Sequence, residues 1–165
     1  MADFSPAVNK ILAYEGGYVN DPNDYGGETN FGISKRSYPD LDIKKLTRED
    51  AMEIYRRDYW SRFQGDRIAN QGVAEELLDS AVNMGWSRAV KFLQEAMNIL
   101  TGSELLVDGL AGPKTIEAAN SYRFPSALVK VLNGLQFERY REIVQKDPTQ
   151  RKFFRNWLAR VEFNA

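Results

Sequence analysis

The 165-residue chain contains no histidine and no cysteine. Without cysteine there is no disulfide framework, and no thiolate to serve as nucleophile or metal ligand. Without histidine the Ser-His-Asp and Cys-His constellations are excluded, and so are the usual catalytic zinc sites, which lean on imidazole. Acid–base chemistry must then fall to carboxylates, tyrosines or lysines. Glycoside hydrolysis needs little beyond Glu and Asp, and it asks for no metal or organic cofactor. Long apolar runs are also missing, so no stable membrane insertion is expected. The opening residues, MADFSPAVNKILAYEGG, lack a charged segment followed by an unbroken apolar one, the form of a secretory signal. Synthesis in the cytoplasm is the expectation, with another exit route for any work outside it.

What is present describes an ordinary globular domain. Hydrophobic residues make up 43% of the chain and charged residues 27%, enough for a full core. The net charge of −1 is unevenly spread: residues 1–120 carry 13 basic and 19 acidic side chains, residues 121–165 nine and four. A basic C-terminal third could dock an anionic polymer such as a cell wall or nucleic acid. Solvated faces of amphipathic helices are the more ordinary origin of such a bias. Aromatic interleaving and basic loops of the kind a nucleic-acid binder uses are weak here, so no nucleic-acid partner is expected.

The periodicity is mainly helical, with one glycine-rich interruption. Ser5 as cap and Pro6 at the first helical position open a helix carrying Val8, Ile11, Leu12 and Tyr14, which stops at Gly16-Gly17. From Tyr18 to Ser34 the helical period disappears. Turn-formers there alternate with short β-prone pieces, which predicts a small hairpin lobe. Thr47 to Asp50 has the spacing of a capping box and opens a helix through Met52, Ile54, Tyr55 and Tyr59. Further helices are expected over 73–84, over 87–100, from Pro113, and over roughly 125–146 and 149–161. No linker interrupts them. The fold class is therefore mainly α with a small β element near the N-terminus, an α+β arrangement in one domain spanning 1–165.

Glu15 is the sharpest anomaly. Val8, Ile11 and Glu15 share one helical face, so a carboxylate stands where an apolar residue belongs. Burial and the negative end of the helix dipole both favour the neutral acid, the form a glycosidase needs to protonate a leaving oxygen. A structural Glu paired with an arginine explains the same pattern equally well. Asp24, nine residues on, could face Glu15 across a cleft with a water between them, and Thr29 follows it. Asp24 also suits an Asx turn, and Asp21 and Glu28 compete for the same role. Tyr18, Tyr25 and Tyr59 could stack on sugar rings, although aromatics are core residues by default. Asn83, at a helix end, suits either an acetamido contact or a cap.

The run EGGYVNDPNDYGGETNFGIS (Glu15 to Ser34) resembles the signature of the N-acetylmuramidases of glycoside hydrolase family 108. The resemblance continues in AMEIYRRDYW (51–60), DSAVNMG (79–85), AVKFLQ (89–94), DGLAGPKT (108–115) and FFRNWLARV (153–161), in order along nearly the whole chain. It implies a lysozyme-like fold acting on peptidoglycan, with Glu15 as the catalytic acid. Residues 5–85 would form the catalytic half, and 86–165 a helical half similar to a peptidoglycan-binding region packed into the same globule. The order Glu, Asp, Thr is also similar to that of T4-type phage lysozymes, which implies that Asp24 and Thr29 position or activate water. Glu15 and Asp24 keep that interval, while Thr29 falls one residue early. The implied role is a monomeric phage or prophage endolysin that reaches the wall through a holin. A catalytically idle wall-binding or secretion-assisting protein on the same fold is the alternative, and a chitinase-type specificity would use the same linkage.

Overall fold

The computed structural model describes residues 1–20 and 27–161. Asp24 and Tyr25, two of the expected site residues, and the competitor Asp21 lie outside them.

Helix α1 (Phe4–Tyr14) begins two residues earlier than expected. Its cap is Asp3 rather than Ser5: the Asp3 carboxylate accepts from the Ser5 N–H at 2.9 Å, and a negative acceptor suits the positive end of the dipole. The Asp3 N–H donates to Gln71 at 2.7 Å, which ties this end to a later helix. Phe4, Ala7, Val8, Ile11 and Leu12 are buried, as the spacing predicts, whereas Tyr14 is half exposed.

Three short antiparallel strands follow, β1 (Val19–Asn20), β2 (Glu28–Asn30) and β3 (Ile33–Ser34), in the order β1-β2-β3. Thr29 sits opposite both Val19 and Ser34, and Asn30 opposite Ile33. Only Phe31 and Gly32 connect β2 to β3, and both have positive φ (50° and 76°). A two-residue hairpin of type I′ demands that conformation, and here a phenylalanine adopts it beside a glycine. Asn30 anchors the lobe from below, its buried amide donating to the carbonyls of Ile43 and Leu46 at 3.2 and 3.3 Å.

Helix α2 (Arg48–Tyr55) opens on the expected capping box, with Thr47 and Asp50 each bonding the other's backbone N–H. It widens into a π-helical turn over Arg56–Trp60 that delivers Trp60 to the core. Tyr59 therefore lies in this turn and not in a regular helix. Helix α3 (Gln71–Met84) starts two residues before Val73 because Asn70 caps it, accepting from the Val73 N–H at 3.1 Å. Next come α4 (Trp86–Thr101), α5 (Pro113–Ser121), α6 (Pro125–Lys146) and α7 (Arg151–Leu158). The last helix is shorter than the spacing suggests, since Pro148–Gln150 forms a separate 3-10 turn capped by Asp147.

Helix α3 is the hub. It packs against α1, α4 and α6, so few of its faces reach solvent. Val73, Ala74, Leu77, Leu78 and Ala81 are buried, but so are Glu76, Asp79 and Ser80. Opposite them α6 buries Leu128 and Leu132, and then the polar series Asn133, Gln136 and Tyr140. These spacings of three and four form one stripe on each helix, so the C-terminal part of the α3–α6 contact is polar on both sides. Among the described residues no helix is long and apolar enough to cross a membrane.

Candidate active site

Glu15 caps the C-terminus of α1. Its own backbone is already extended (φ −77°, ψ 128°), while its N–H still donates to the Ile11 carbonyl at 3.0 Å. The side chain thus leaves the helix where Val8 and Ile11 enter the core, and it is 20% exposed. Burial on the apolar face is therefore partial, because the helix ends one residue before it.

The hairpin tip lies directly against this carboxyl. A Cβ on Gly32 would stand 2.8 Å from Glu15 Oε2 and 2.5 Å from Tyr55 Oη. With φ at 76° as well, the position admits little but glycine. Tyr55 holds the tip in place by donating its hydroxyl to the Phe31 carbonyl at 2.9 Å. That bond supports the one non-glycine residue in the turn with positive φ. Burial, reinforced by the Glu15 charge, pushes the Tyr55 phenol well above its ordinary range. Tyr59, with its ring 5.6 Å from that of Tyr55, is pushed up mainly by burial.

On the other side stands Arg160, just beyond α7. One guanidinium nitrogen donates to Glu15 Oε1 at 2.5 Å and another to Asp79 Oδ1 at 2.9 Å. The cation also lies 5.5 Å over the Tyr14 ring. Asp79 accepts in addition from Gln136 Nε2 at 2.7 Å, and Glu76, one turn earlier, accepts from Asn133 at 2.8 Å. Burial pushes the Asp79 carboxyl up, although Arg160 and Gln136 both pull the other way. Burial works against the charge of Arg160 too, but Asp79 and Glu15 more than offset it and hold its pKa above the ordinary value. Two carboxylates therefore share one guanidinium, and a single proton on either acid leaves the cluster neutral. A cavity of about 360 Å³ reaches Arg160 and Asp79 alongside Tyr14, Lys10 and Glu75.

The other expected residues are dispersed around this centre. Thr29 is half-buried on the middle strand. Tyr18 is exposed, and its hydroxyl donates to Glu28 at 3.2 Å, which occupies both residues on the lobe. Asn83 is not a helix cap: its amide donates back to the Asp79 carbonyl at 2.8 Å and lies 3.4 Å from the Asp79 carboxylate. Among the described residues no three carboxylates converge as a metal site would require. Arg160, Asp79, Gln136, Tyr55 and Gly32 belong to the site but are not apparent from sequence spacing.

A solved structure of SagA from Brucella abortus is 30% identical to this chain, with a TM-score of 0.77 over 96% of this chain and 88% of its own. Residues 8–85 match the family model described as Glycosyl hydrolase 108. The chain belongs to that family. It carries a glycoside hydrolase region, and its fold is the lysozyme-like α+β fold, with α1 and the three-stranded lobe framing Glu15. Residues 88–162 match a second model, described as Predicted Peptidoglycan domain, so this family 108 chain joins a glycosidase region to one associated with peptidoglycan. Arg160 lies in the second region and Glu15 in the first, so their ion pair crosses from one to the other. No curated protein sequence matches the chain.

Proposed function

We propose that this family 108 protein is a muramidase, hydrolysing the β-1,4 bond between N-acetylmuramic acid and N-acetylglucosamine with Glu15 as general acid. The observation that carries this reading is the placement of Glu15. The Glu15 carboxyl stands at the seam between α1 and the hairpin, partly exposed, with a phenolic wall on one side and a shared guanidinium on the other. Oε1 is committed to Arg160. Oε2, which packs against the hairpin tip at Gly32, is then the oxygen assigned to give its proton to the leaving sugar. Asp24 is assigned the activation of water and Thr29 its positioning, with Tyr18, Tyr25, Tyr59 and Asn83 as sugar contacts. The two matched regions would act as one unit, and the biological role would be that of a monomeric endolysin released to the wall through a holin.

The test is release of reducing ends from purified peptidoglycan by wild type and by Glu15→Gln. Loss of a general acid predicts a fall of about 10²–10⁴-fold in a variant that keeps its melting temperature. New muramic acid reducing ends would identify a muramidase, and cleavage of chitin alone would move the assignment to chitinase chemistry.

One observation favours a second reading. A glutamate ion-paired to an arginine is what a structural role looks like, and that role suits a wall-binding or secretion-assisting protein. Equal wall binding by wild type and Glu15→Gln, with no sugar release by either, would establish it.

A further inference from the structure

We infer that Arg160, a residue of the peptidoglycan-associated region, is a positioning residue for Glu15 whose hold is divided with Asp79, so that Asp79 sets how strongly the cation acts on the acid. This rests on the assignment of Glu15 as the acid. When Glu15 gives up its proton it becomes a carboxylate, and the Arg160 nitrogen that would stabilise that charge is already within hydrogen-bond reach. A cation fixed in advance at the place where charge develops lowers the barrier without reorganising during the reaction. Its second nitrogen is held by Asp79, which Gln136 in turn fixes from α6. Arg160 thus cannot swing fully to Glu15, because the competing anion keeps part of the guanidinium's hydrogen bonding.

The remaining charged and titratable groups around the cluster leave this division intact. Tyr55 from α2 and Tyr59 from the π turn face Glu15 as neutral phenols, and Tyr14 on α1 lies beneath the guanidinium. Tyr140 on α6 and Glu76 on α3 stand behind Asp79. Lys10 and Glu75, along the adjoining cavity, pair with each other at 2.6 Å. Among the described residues Arg160 is the cation in direct contact with the Glu15 carboxyl.

Removing the cation and removing its competitor must therefore act in opposite directions. In Arg160→Met the alkaline limb of the activity profile should move up by about one to three pH units, and kcat should fall about 10–100-fold with KM changed less than about threefold. In Asp79→Asn the limb should move down, because the guanidinium then acts on Glu15 undivided. Arg160→Lys keeps the charge without the fork and should lie between wild type and Arg160→Met. The experiment is a pH–rate profile on soluble glycan strands for these variants and Glu15→Gln. Beside it goes a titration of the Glu15 carboxyl by ¹³C NMR, which needs no turnover. Opposed shifts in Arg160→Met and Asp79→Asn support the inference. Shifts of the same sign, or lower melting temperatures with unmoved limbs and unmoved NMR titrations, overturn it and leave Arg160 a tether. If Arg160→Met does not fold, the downward shift in Asp79→Asn and the intermediate position of Arg160→Lys decide the matter. An active Glu15→Gln would instead sink the assignment of the acid itself, while the NMR titrations would still report on Arg160.

Discussion

The wall of the site built by α2 and the β2–β3 turn is set by backbone conformation, whereas the wall built by α3, α6 and Arg160 is set by charge. On the first side two consecutive residues have positive φ, one tyrosine hydroxyl holds a carbonyl, and a missing Cβ leaves room for a carboxyl. On the second, buried acids and amides face one another across two long helices, and an arginine from the far end of the chain closes the cluster. Steric constraint tolerates almost no substitution but is indifferent to pH and salt. A charge network can be retuned by one residue, at the cost of leaving its partners unsatisfied. The Glu15 carboxyl is held between the two, so its position and its ionic environment are set separately.

The largest break in this comparison should come from Gly32→Ala. The new methyl meets Tyr55 and Glu15 below contact distance in a conformation that L side chains avoid. Positive φ costs about 1–2 kcal/mol and overpacking about 1–3, so a loss of roughly 2–5 kcal/mol is expected. Displacing the acid by an ångström would also cost about 10²-fold in rate. Urea unfolding together with reducing-end release checks both. A stable and fully active Gly32→Ala would mean that the hairpin tip does not set where Glu15 stands.

How far the two walls could be read in advance differs for the same reason. The helix opened by Thr47 and Asp50, the end of α4 at left-handed Gly102 and the start of α5 at Pro113 all follow from signals acting within three or four residues. The hairpin lobe and the anomaly at Glu15 were legible on the same scale. Arg160 meets Glu15 across 145 positions, and Gln136 meets Asp79 across 57. Nothing local marks either pair. On its own, Gln136 belongs to an amphipathic helix, and Arg160 is one of nine basic residues in a C-terminal third whose charges otherwise suit solvated faces such as Arg139–Glu142 and Arg141–Glu138. Asp3 in place of Ser5 as the first cap is a smaller miss of the same kind, since α1 is tied at that point to Gln71 on α3.

A middle-sized effect would test the charged wall on its own. Gln136→Leu removes the amide that donates to Asp79 at 2.7 Å and leaves a buried carboxylate with one partner fewer. A hydrogen bond to a charged group contributes about 1.5–3 kcal/mol, so a loss near 2 is expected in urea unfolding at neutral pH. Because burial already holds the Asp79 carboxyl above its ordinary value, the loss should shrink as the pH falls and the acid takes up its proton. An unfolding cost that is independent of pH would assign Gln136 a packing role only.

The smallest and sharpest comparison is between two tyrosines, one in each wall. Tyr55 Oη donates to the Phe31 carbonyl, while Tyr140 Oη is buried without a hydrogen-bond partner among the described residues. Tyr55→Phe should therefore cost about 1 kcal/mol at neutral pH, and Tyr140→Phe close to nothing or a slight gain, since it removes a polar atom that burial leaves unsatisfied. At alkaline pH the two should behave alike. Burial is the main reason both phenols are raised, with Glu15 adding to it at Tyr55 and Asp79 at Tyr140. The unfolded chain ionises first, near the ordinary value of about 10, so the stability each phenol contributes is whole below that pH and is lost as pH rises above it. Each Phe variant should lose less stability than wild type between neutral pH and pH values above about 10. Different costs at neutral pH with a common gain at alkaline pH would show that the hydrogen bond distinguishes the walls and that burial is what they share. Equal costs at neutral pH would mean that the Tyr55 bond is not what keeps the strained turn beneath the acid.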